Sequence, residues 1–255
     1  MPITARRTAP LLLLLLAVLP LHAEDAAPVR QERMAAFDYT MVGMEEKHGY
    51  AYLATYLCER TTYSEVYALA KCVPGVEQGD TTTWAKDATV NAVEDFPGGV
   101  VGRLQFGDVE LRVEWMPLRA GRDEAIYLGA ALYSVTTEPP TPVQVRCGGG
   151  AVLDKFKPAW RDTPAVGSEG DTVELGKGPA HLRSAAHPRH VAVTSSGTLA
   201  VEPGDAGGQR LRVDFPEGSG HIHLAFSKSR DIADKLARWN PLPLRQETRD
   251  YFDVL

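Results

Sequence analysis

The feature that most constrains the fold is a hairpin near the middle of the chain, whose second strand has two distinct faces. Residues 109–115 (VELRVEW) alternate apolar and charged side chains without exception. Successive side chains of a strand point to opposite faces, so this pattern predicts a strand with one face in a core. Residues 100–106 form the first strand, and Phe106-Gly107-Asp108 is a glycine-containing turn typical of hairpins. Met116-Pro117 is predicted to end the second strand, because proline cannot donate to the ladder.

Similar short strands recur along most of the chain. Residues 125–136 (AIYLGAALYSVT) are apolar on both faces, which indicates a central strand covered on both sides. Further strands are predicted at 143–147, 172–175, 181–184, 190–194, 198–201, 210–215 and 221–226, with a flexible turn at 204–208. Residues 50–56 favour a strand, whereas 64–72 fit either a strand or a short helix. About ten short strands with turns every 8–12 residues indicate an antiparallel sandwich or barrel.

The pattern changes from β to helical after residue 226. Ser229 can cap a helix, and the apolar residues that follow it, up to Trp239, have helical spacing. Asn240-Pro241 breaks this helix, and Pro243 allows a second one, which ends in the apolar sequence YFDVL. The predicted fold class is therefore mainly β, an antiparallel sandwich over 24–226 followed by a short helical segment over 227–255. We expect that segment to be a linker and the start of a helical domain.

The first 23 residues have the pattern of a signal peptide. Arg6 and Arg7 precede an unbroken run of leucines, and Leu21-His22-Ala23 is a suitable cleavage site. The apolar part is shorter than the roughly 20 residues that span a bilayer, although a retained N-terminal anchor is the alternative. We therefore expect export to the periplasm or the extracellular medium, without a membrane association after cleavage.

Charge narrows the range of partners. The chain has 27 basic and 33 acidic residues, for a net charge of −6. Cleavage after Ala23 removes two arginines and no acidic residue, so 25 basic residues remain against 33 acidic ones and the net charge becomes −8. Nucleic acid and anionic membranes are poor partners for such a protein, whereas neutral ligands such as sugars fit.

The three cysteines are Cys58, Cys72 and Cys147. In an oxidising compartment, Cys58 and Cys72 could close a short loop, with a stabilisation of about 3 kcal/mol. The alternative is that all three are small buried apolar residues. Their spacing does not match a C-x-x-C metal or redox motif, and no cofactor is predicted.

Two histidines and two tryptophans are candidate site residues. His221 and His223 lie two apart on a predicted strand and share a face, which suits a metal site if a third ligand is close. That ligand could be His181, His190, Asp214 or Glu217, if the fold brings one of them near. The alternative is that the two histidines form hydrogen bonds on a polar sheet face or pack against the helical segment that follows. Trp84 and Trp160 lie in polar contexts (TTTWAKD and KPAWRDTP) and could stack on sugar rings, unless loops bury them. No catalytic motif occurs in the chain, so no catalytic residue is assigned.

The tail carries a resemblance to a known family. A strand ending His223-Leu224-Ala225-Phe226-Ser227 is followed by a helical pattern with Ala233, Leu236 and Ala237, and then by Tyr251-Phe252-x-x-Leu255. This sequence is similar to the exit from the N-terminal β-supersandwich of six-hairpin glycosidases of the glycogen-debranching and glucoamylase-like kind. Residues 127–145 (YLGAALYSVTTEPPTPVQV) also resemble the middle strands of that domain.

The resemblance implies a non-catalytic role. In that family the sandwich precedes an (α/α)6 toroid, and the acid and base carboxylates belong to the toroid. We therefore expect an exported, glycoside hydrolase-like protein whose sandwich braces a helical catalytic domain. The alternative is a freestanding carbohydrate-binding sandwich, and a small metal-dependent enzyme at His221 and His223 is a third hypothesis. The expected partners are carbohydrate or a helical catalytic domain.

Overall fold

The structure is a computed structural model that describes residues 32–37, 40–56, 65–118, 129–149, 152–154, 166–185, 189–227 and 229–232. Within these residues the chain forms seventeen strands and one short 3-10 helix, Ala85–Asp87. The strands are β1 Glu32–Phe37, β2 Thr40–Glu45, β3 Ala51–Tyr56, β4 Glu65–Gln78, β5 Thr81–Trp84, β6 Thr89–Phe96, β7 Gly99–Phe106, β8 Val109–Leu118, β9 Gly129–Glu138, β10 Val143–Gly149, β11 Val152–Asp154, β12 Thr172–Glu174, β13 Ala180–Arg183, β14 His190–Ser195, β15 Thr198–Pro203, β16 Gln209–Phe215 and β17 Ser219–Ser227.

These strands build two antiparallel sheets, which confirms the predicted mainly β, sandwich-like fold. The nine-stranded sheet has the order β1-β2-β3-β4-β10-β16-β15, with β5 and β11 also paired to β4. The eight-stranded sheet has the order β12-β13-β14-β17-β9-β8-β7-β6. Strands β1 and β2 of the first sheet pack across β7 and β8 of the second. The chain changes sheet between β9 and β10, where the Glu138–Pro139 peptide bond is cis.

The core lies between the two sheets and is filled by alternate residues of their inner strands. The apolar side chains of β8 that were predicted to share one face, Val109, Leu111, Val113 and Trp115, all belong to it. The indole of Trp115 contacts the Tyr133 ring edge-on, with the ring centroids 5.2 Å apart. From the other sheet, β10 contributes Val143, Val145 and Cys147, and β16 contributes Leu211, Val213 and Phe215. The alternation read from the sequence therefore identifies the buried face.

Part of the outer face of the eight-stranded sheet is also apolar and buried, although Arg112, Glu114 and His221 lie on the same face. The residues of the apolar part share a face by register and lie outside the core between the sheets: Met116, Leu118, Ala130, Leu132, Ala192 and Ala225. Strand β9 is therefore covered on both sides, as the apolar run of 125–136 predicts. Ile232, which follows β17, is fully buried too and likewise lies outside the core cluster.

Two boundaries differ from the sequence-based prediction. Strand β8 does not end at Met116-Pro117 but continues to Leu118, with Pro117 opposite Ala131. Among the described residues, this strand pairs beyond Trp115 with β9 alone, so Pro117 lies on an edge there, where a missing N–H is tolerated. Of residues 64–72, which fit either a strand or a helix, the described residues 65–72 belong to the long strand β4.

The segment after β17 is described only for its first turn. The Ser229 hydroxyl accepts a hydrogen bond from the Asp231 N–H at 3.4 Å, as expected of a helix cap, and Arg230 forms an ion pair with Glu174 of β12 at 2.5 Å. Residues 233–255 lie outside the described part, so the predicted C-terminal helices stay a prediction. The same holds for the signal peptide over residues 1–23 and for the two domain boundaries. Among the described residues, no helix has the length and apolar content needed to cross a bilayer.

Candidate functional site

The most organised polar surface of the described chain lies on the outer face of the nine-stranded sheet. We call it the Trp84–Arg146 face, and it comprises Trp84, Gln144, Arg146, Glu202, Arg210 and Arg212. The register explains the clustering, because Gly75 lies opposite both Trp84 and Gln144, Arg146 lies opposite Arg212, and Arg210 lies opposite Glu202. Directly opposed residues share a face of the sheet. The fold therefore builds this face from β5, β10 and the consecutive strands β15 and β16, three segments that are distant along the chain.

Trp84 packs against the sheet at Gly75, where the absence of a side chain leaves room for the indole. A Cβ atom at Gly75 would lie 2.8 Å from Cε3 of the indole, so only glycine leaves room for this ring. The Arg146 guanidinium stacks over the indole, with Cζ 3.7 Å from the ring centroid. Such a cation–π contact favours a fixed position of the arginine head. Trp84 is half-buried at the end of a strand, and it is not on a free loop.

Glu202 is the acceptor to which the arginines of this face converge. Its carboxylate accepts hydrogen bonds from Arg212 Nη1 at 2.7 Å and from Arg210 Nε at 3.2 Å. Arg146 Nε lies 3.4 Å from Glu202 Oε2. Burial tends to raise the pKa of Glu202, but the hydrogen bonds from Arg212 and Arg210 outweigh it and hold the pKa below its ordinary value. The carboxylate is therefore ionised at neutral pH.

The remaining groups bring the face close to electrical balance. Arg210 also bonds Asp205, Arg212 Nε bonds Asp214 at 3.1 Å, and the Gln144 amide donates to Glu77. Guanidinium, carboxylate and amide groups are planar and bind ligands through two atoms at once. Such an array beside an aromatic ring suits a neutral ligand that is rich in hydroxyl groups.

The histidines lie on the opposite side of the molecule. His221 and His223 share the outer face of the eight-stranded sheet, where His223 is opposite Leu132 and Thr194, and this confirms that their side chains point to the same side. His223 is fully buried, and burial, together with the nearby charge of His221, lowers its pKa to about 4. Within the described residues, no group of three His, Cys, Asp or Glu side chains could hold a metal ion. Metal binding by His221 and His223 stays a prediction without a third ligand.

Two further histidines, which the sequence reading considered only as extra ligands, contact each other. His190 Nδ1 lies 2.9 Å from His181 Nε2, and the rings are stacked with centroids 4.9 Å apart. Burial lowers the pKa of both rings. The charge of His190 lowers the pKa of His181 further, and the charge of Arg183 lowers the pKa of His190 further. The pair is therefore neutral at pH 7 and consistent with a hydrogen bond between strands. Asp214, another ligand considered for His221 and His223, lies on the other sheet.

Of the two cysteines predicted to pair, Cys58 and Cys72, the structure describes only Cys72. Cys72 is fully buried in the core, and its Sγ lies 3.1 Å from Sγ of Cys147. Cys58 lies outside the described residues, and so does Trp160, the second candidate for sugar stacking. Pairing of Cys58 with Cys72 and sugar binding by Trp160 therefore stay predictions.

The arginines and Glu202 are the site residues that the sequence reading missed. Their signal is the alternation in VQVRC of β10 and in RLRVDF of β16, which places polar residues on one face. The alternation does not reveal that the two strands are neighbours. That pairing joins residues 64 or more positions apart, such as Arg146 and Arg212, and only the fold establishes it.

Comparisons with known proteins give a weak structural likeness. No protein-family model and no curated protein sequence matches the chain. Among solved structures, a protein from the human microbiome, whose description assigns it provisionally as a kojibiose phosphorylase, aligns with a TM-score of 0.43 and 8% sequence identity. The alignment covers 86% of this chain and 35% of that protein, so the chain spans about a third of its length. At this level the likeness bears on neither activity nor substrate.

Proposed function

We propose that the chain is the non-catalytic sandwich domain of an exported, glycoside hydrolase-like protein, in which it braces a helical (α/α)6 catalytic domain. The observation that carries this proposal is the second apolar surface, on the outer face of the eight-stranded sheet. An antiparallel sandwich needs only one apolar face on each sheet. A buried apolar patch on the second face of a sheet is typical of an architecture with a further layer.

The exit of the chain from the sandwich supports the same proposal. Strand β17 lies in the interior of the eight-stranded sheet, between β14 and β9. Ser229 then forms the first turn, Ile232 is buried, and Arg230 contacts Glu174 on the edge strand β12. The segment that resembles the glycosidase domain junction therefore begins in contact with the sandwich. This is the place from which a helical layer would be held.

The non-catalytic part of the proposal is tested by turnover. The mature chain, beginning at Glu24, is incubated with a panel of gluco-oligosaccharides, with and without inorganic phosphate, and product sugars are measured by chromatography. The proposal expects no turnover above that of a heat-denatured sample. Hydrolysis or phosphorolysis by this chain alone would show that it contains a catalytic site.

Export is tested separately, on protein from the native host. A mature N-terminus at Glu24 in the periplasmic or culture fraction is expected from the signal-peptide pattern. An intact N-terminal segment in the cytoplasmic fraction would contradict export, whatever the outcome of the turnover assay.

A second candidate function, carbohydrate binding, is favoured by the Trp84–Arg146 face. Arg146 and Arg212 are partly exposed, at 26% and 33% of their side-chain area, and lie beside the half-buried indole. Because the Arg146 guanidinium covers a face of the indole, a sugar would replace the guanidinium there or lie on it, and the planar groups around the ring offer paired donors and acceptors for the sugar hydroxyls. Binding could serve either a freestanding module or a sandwich that contributes to a sugar cleft.

Binding is tested by calorimetry with the same oligosaccharides. Trp84→Ala is expected to weaken binding at least tenfold, equivalent to about 1.4 kcal/mol, while Trp84→Phe retains part of the affinity. Arg103→Ala is the matched control, because Arg103 is an exposed arginine in an ion pair with Glu110 on the other sheet. Equal affinity of the wild type and Trp84→Ala would exclude this face, and Trp160→Ala would then be the next variant to measure.

A further inference from the structure

Two cysteines that are far apart in the sequence face each other in the core. Strands β4 and β10 are antiparallel neighbours, and their register places Cys72 directly opposite Cys147. Directly opposed residues of an antiparallel pair have Cα atoms about 4.5 to 5.5 Å apart, within the range of about 4.4 to 6.8 Å found for disulfides. The two sulfur atoms are already 3.1 Å apart, and a bond requires about 2.05 Å. The backbone is therefore in place for a covalent link.

We propose that Cys72 and Cys147 form a disulfide bond that joins the two central strands of the nine-stranded sheet. The inference rests on the proposed export for its cellular setting, because a disulfide persists in an oxidising compartment. It also makes Cys58 the free cysteine, in contrast to the Cys58–Cys72 pairing considered from the sequence.

The chemistry balances with an oxidant of the disulfide class, such as a thiol–disulfide oxidoreductase or oxidised glutathione. The thiolate of one cysteine attacks the oxidant's disulfide and forms a mixed disulfide, releasing one thiol of the oxidant. The second cysteine then attacks that mixed disulfide and releases the other thiol. The protein loses two protons and two electrons as its S–S bond forms, and the oxidant is reduced to two thiols.

Burial determines when the reaction takes place. Both side chains are fully buried between the sheets, and a hydrogen bond between the two thiols together with this burial raises the pKa of the Cys72 thiol. A buried, protonated thiol is a poor nucleophile and is shielded from an oxidant. The link therefore forms while the chain folds, before the core closes, and it is then protected from reductants.

The experiment is a disulfide map of the full mature chain. The reduced, denatured protein is refolded with a mixture of reduced and oxidised glutathione, then alkylated under denaturing conditions and digested. The proposal expects one peptide pair joining Cys72 to Cys147 and an alkylated Cys58. Because the buffer supplies the oxidant, this result does not depend on export, which the N-terminus at Glu24 tests independently.

Matched variants keep the test decisive. Cys58→Ser is expected to give the same linked pair, whereas Cys147→Ser is expected to lose it. If Cys147→Ser fails to fold, the wild type and Cys58→Ser still decide the result. A link from Cys58 to either of the others, or three alkylated cysteines after refolding, would overturn the proposal.

Discussion

At the scale of single residues, the buried histidine of β17 has the clearest consequence for stability. His223 has no exposed surface and lies on the outer apolar face of the eight-stranded sheet, opposite Leu132. The sequence predicted which side of the strand it occupies, because alternation defines the faces. It left the burial open, because a polar sheet face and packing against the following helical segment both fit this pattern.

The pH dependence of unfolding follows from the lowered pKa of His223. The ring titrates near pH 4 in the folded protein and near 6.5 in the unfolded chain. Between these values the unfolded state binds more protons, so the free energy of unfolding decreases as the pH falls through this window and is unaffected by this group above it. The full difference corresponds to about 3 kcal/mol.

Urea unfolding at pH 7 and pH 4 measures this effect, with His223→Gln as the comparison because glutamine does not titrate. We expect the wild type to lose about 3 kcal/mol more than His223→Gln between the two pH values. The neutral His181–His190 pair adds a dependence of the same sign to both proteins and so cancels. Equal losses in the two proteins would show that His223 is not buried as described.

At the scale of elements, the turn between β15 and β16 is held more firmly than its composition suggests. The sequence GDAGG of residues 204–208 predicts a flexible turn, but it is hydrogen-bonded to Val166 and Gly167. The Val166 N–H donates to Asp205 Oδ2 at 2.9 Å, and the Asp205 N–H donates to the Val166 carbonyl at 3.0 Å. The contact partner lies some 39 residues away along the chain, which is why local composition does not reveal it.

Two glycine substitutions test this contact. A Cβ atom at Gly204 would lie 2.2 Å from the carbonyl oxygen of Gly167, whereas one at Gly178 would meet nothing within 4 Å. We expect Gly204→Ala to destabilise the protein by about 1–3 kcal/mol, because backbone atoms must move. Gly178→Ala, the matched control, should be neutral or stabilise the protein by up to about 1 kcal/mol through the unfolded chain. Indistinguishable urea midpoints for the two variants would contradict the close approach.

Strand prediction from the sequence succeeded where one face is polar. The strands from β12 to β17 were located within about two residues, and the hairpin of β7 and β8 was correct up to Pro117. It failed to separate strand from helix in residues 64–72, because periodicity alone does not distinguish short apolar runs. Pro117 wrongly predicted the end of β8. A proline is tolerated there because β7 ends before it and leaves that part of β8 at an edge, which the local sequence does not show.

At the scale of the whole molecule, the sequence predicted a sandwich but not its topology. The central pairings β4–β10 and β9–β17 join segments that lie far apart, so they are fixed by the packing of the core and not by any local pattern. The opposed cysteines, the Trp84–Arg146 face and the second apolar surface all result from these long-range pairings. The candidate site was therefore predictable only for Trp84, the one member that composition made conspicuous.

The central claim, that the sandwich braces a helical catalytic domain, is tested most directly by the native mass of the protein purified from the exported fraction of its host. We predict a polypeptide or a stable complex well above 27.8 kDa, the mass of this chain, that contains a helical domain and turns over an oligosaccharide. A single species at or below 27.8 kDa, without a bound partner, would contradict that claim and leave carbohydrate binding as the function to assay.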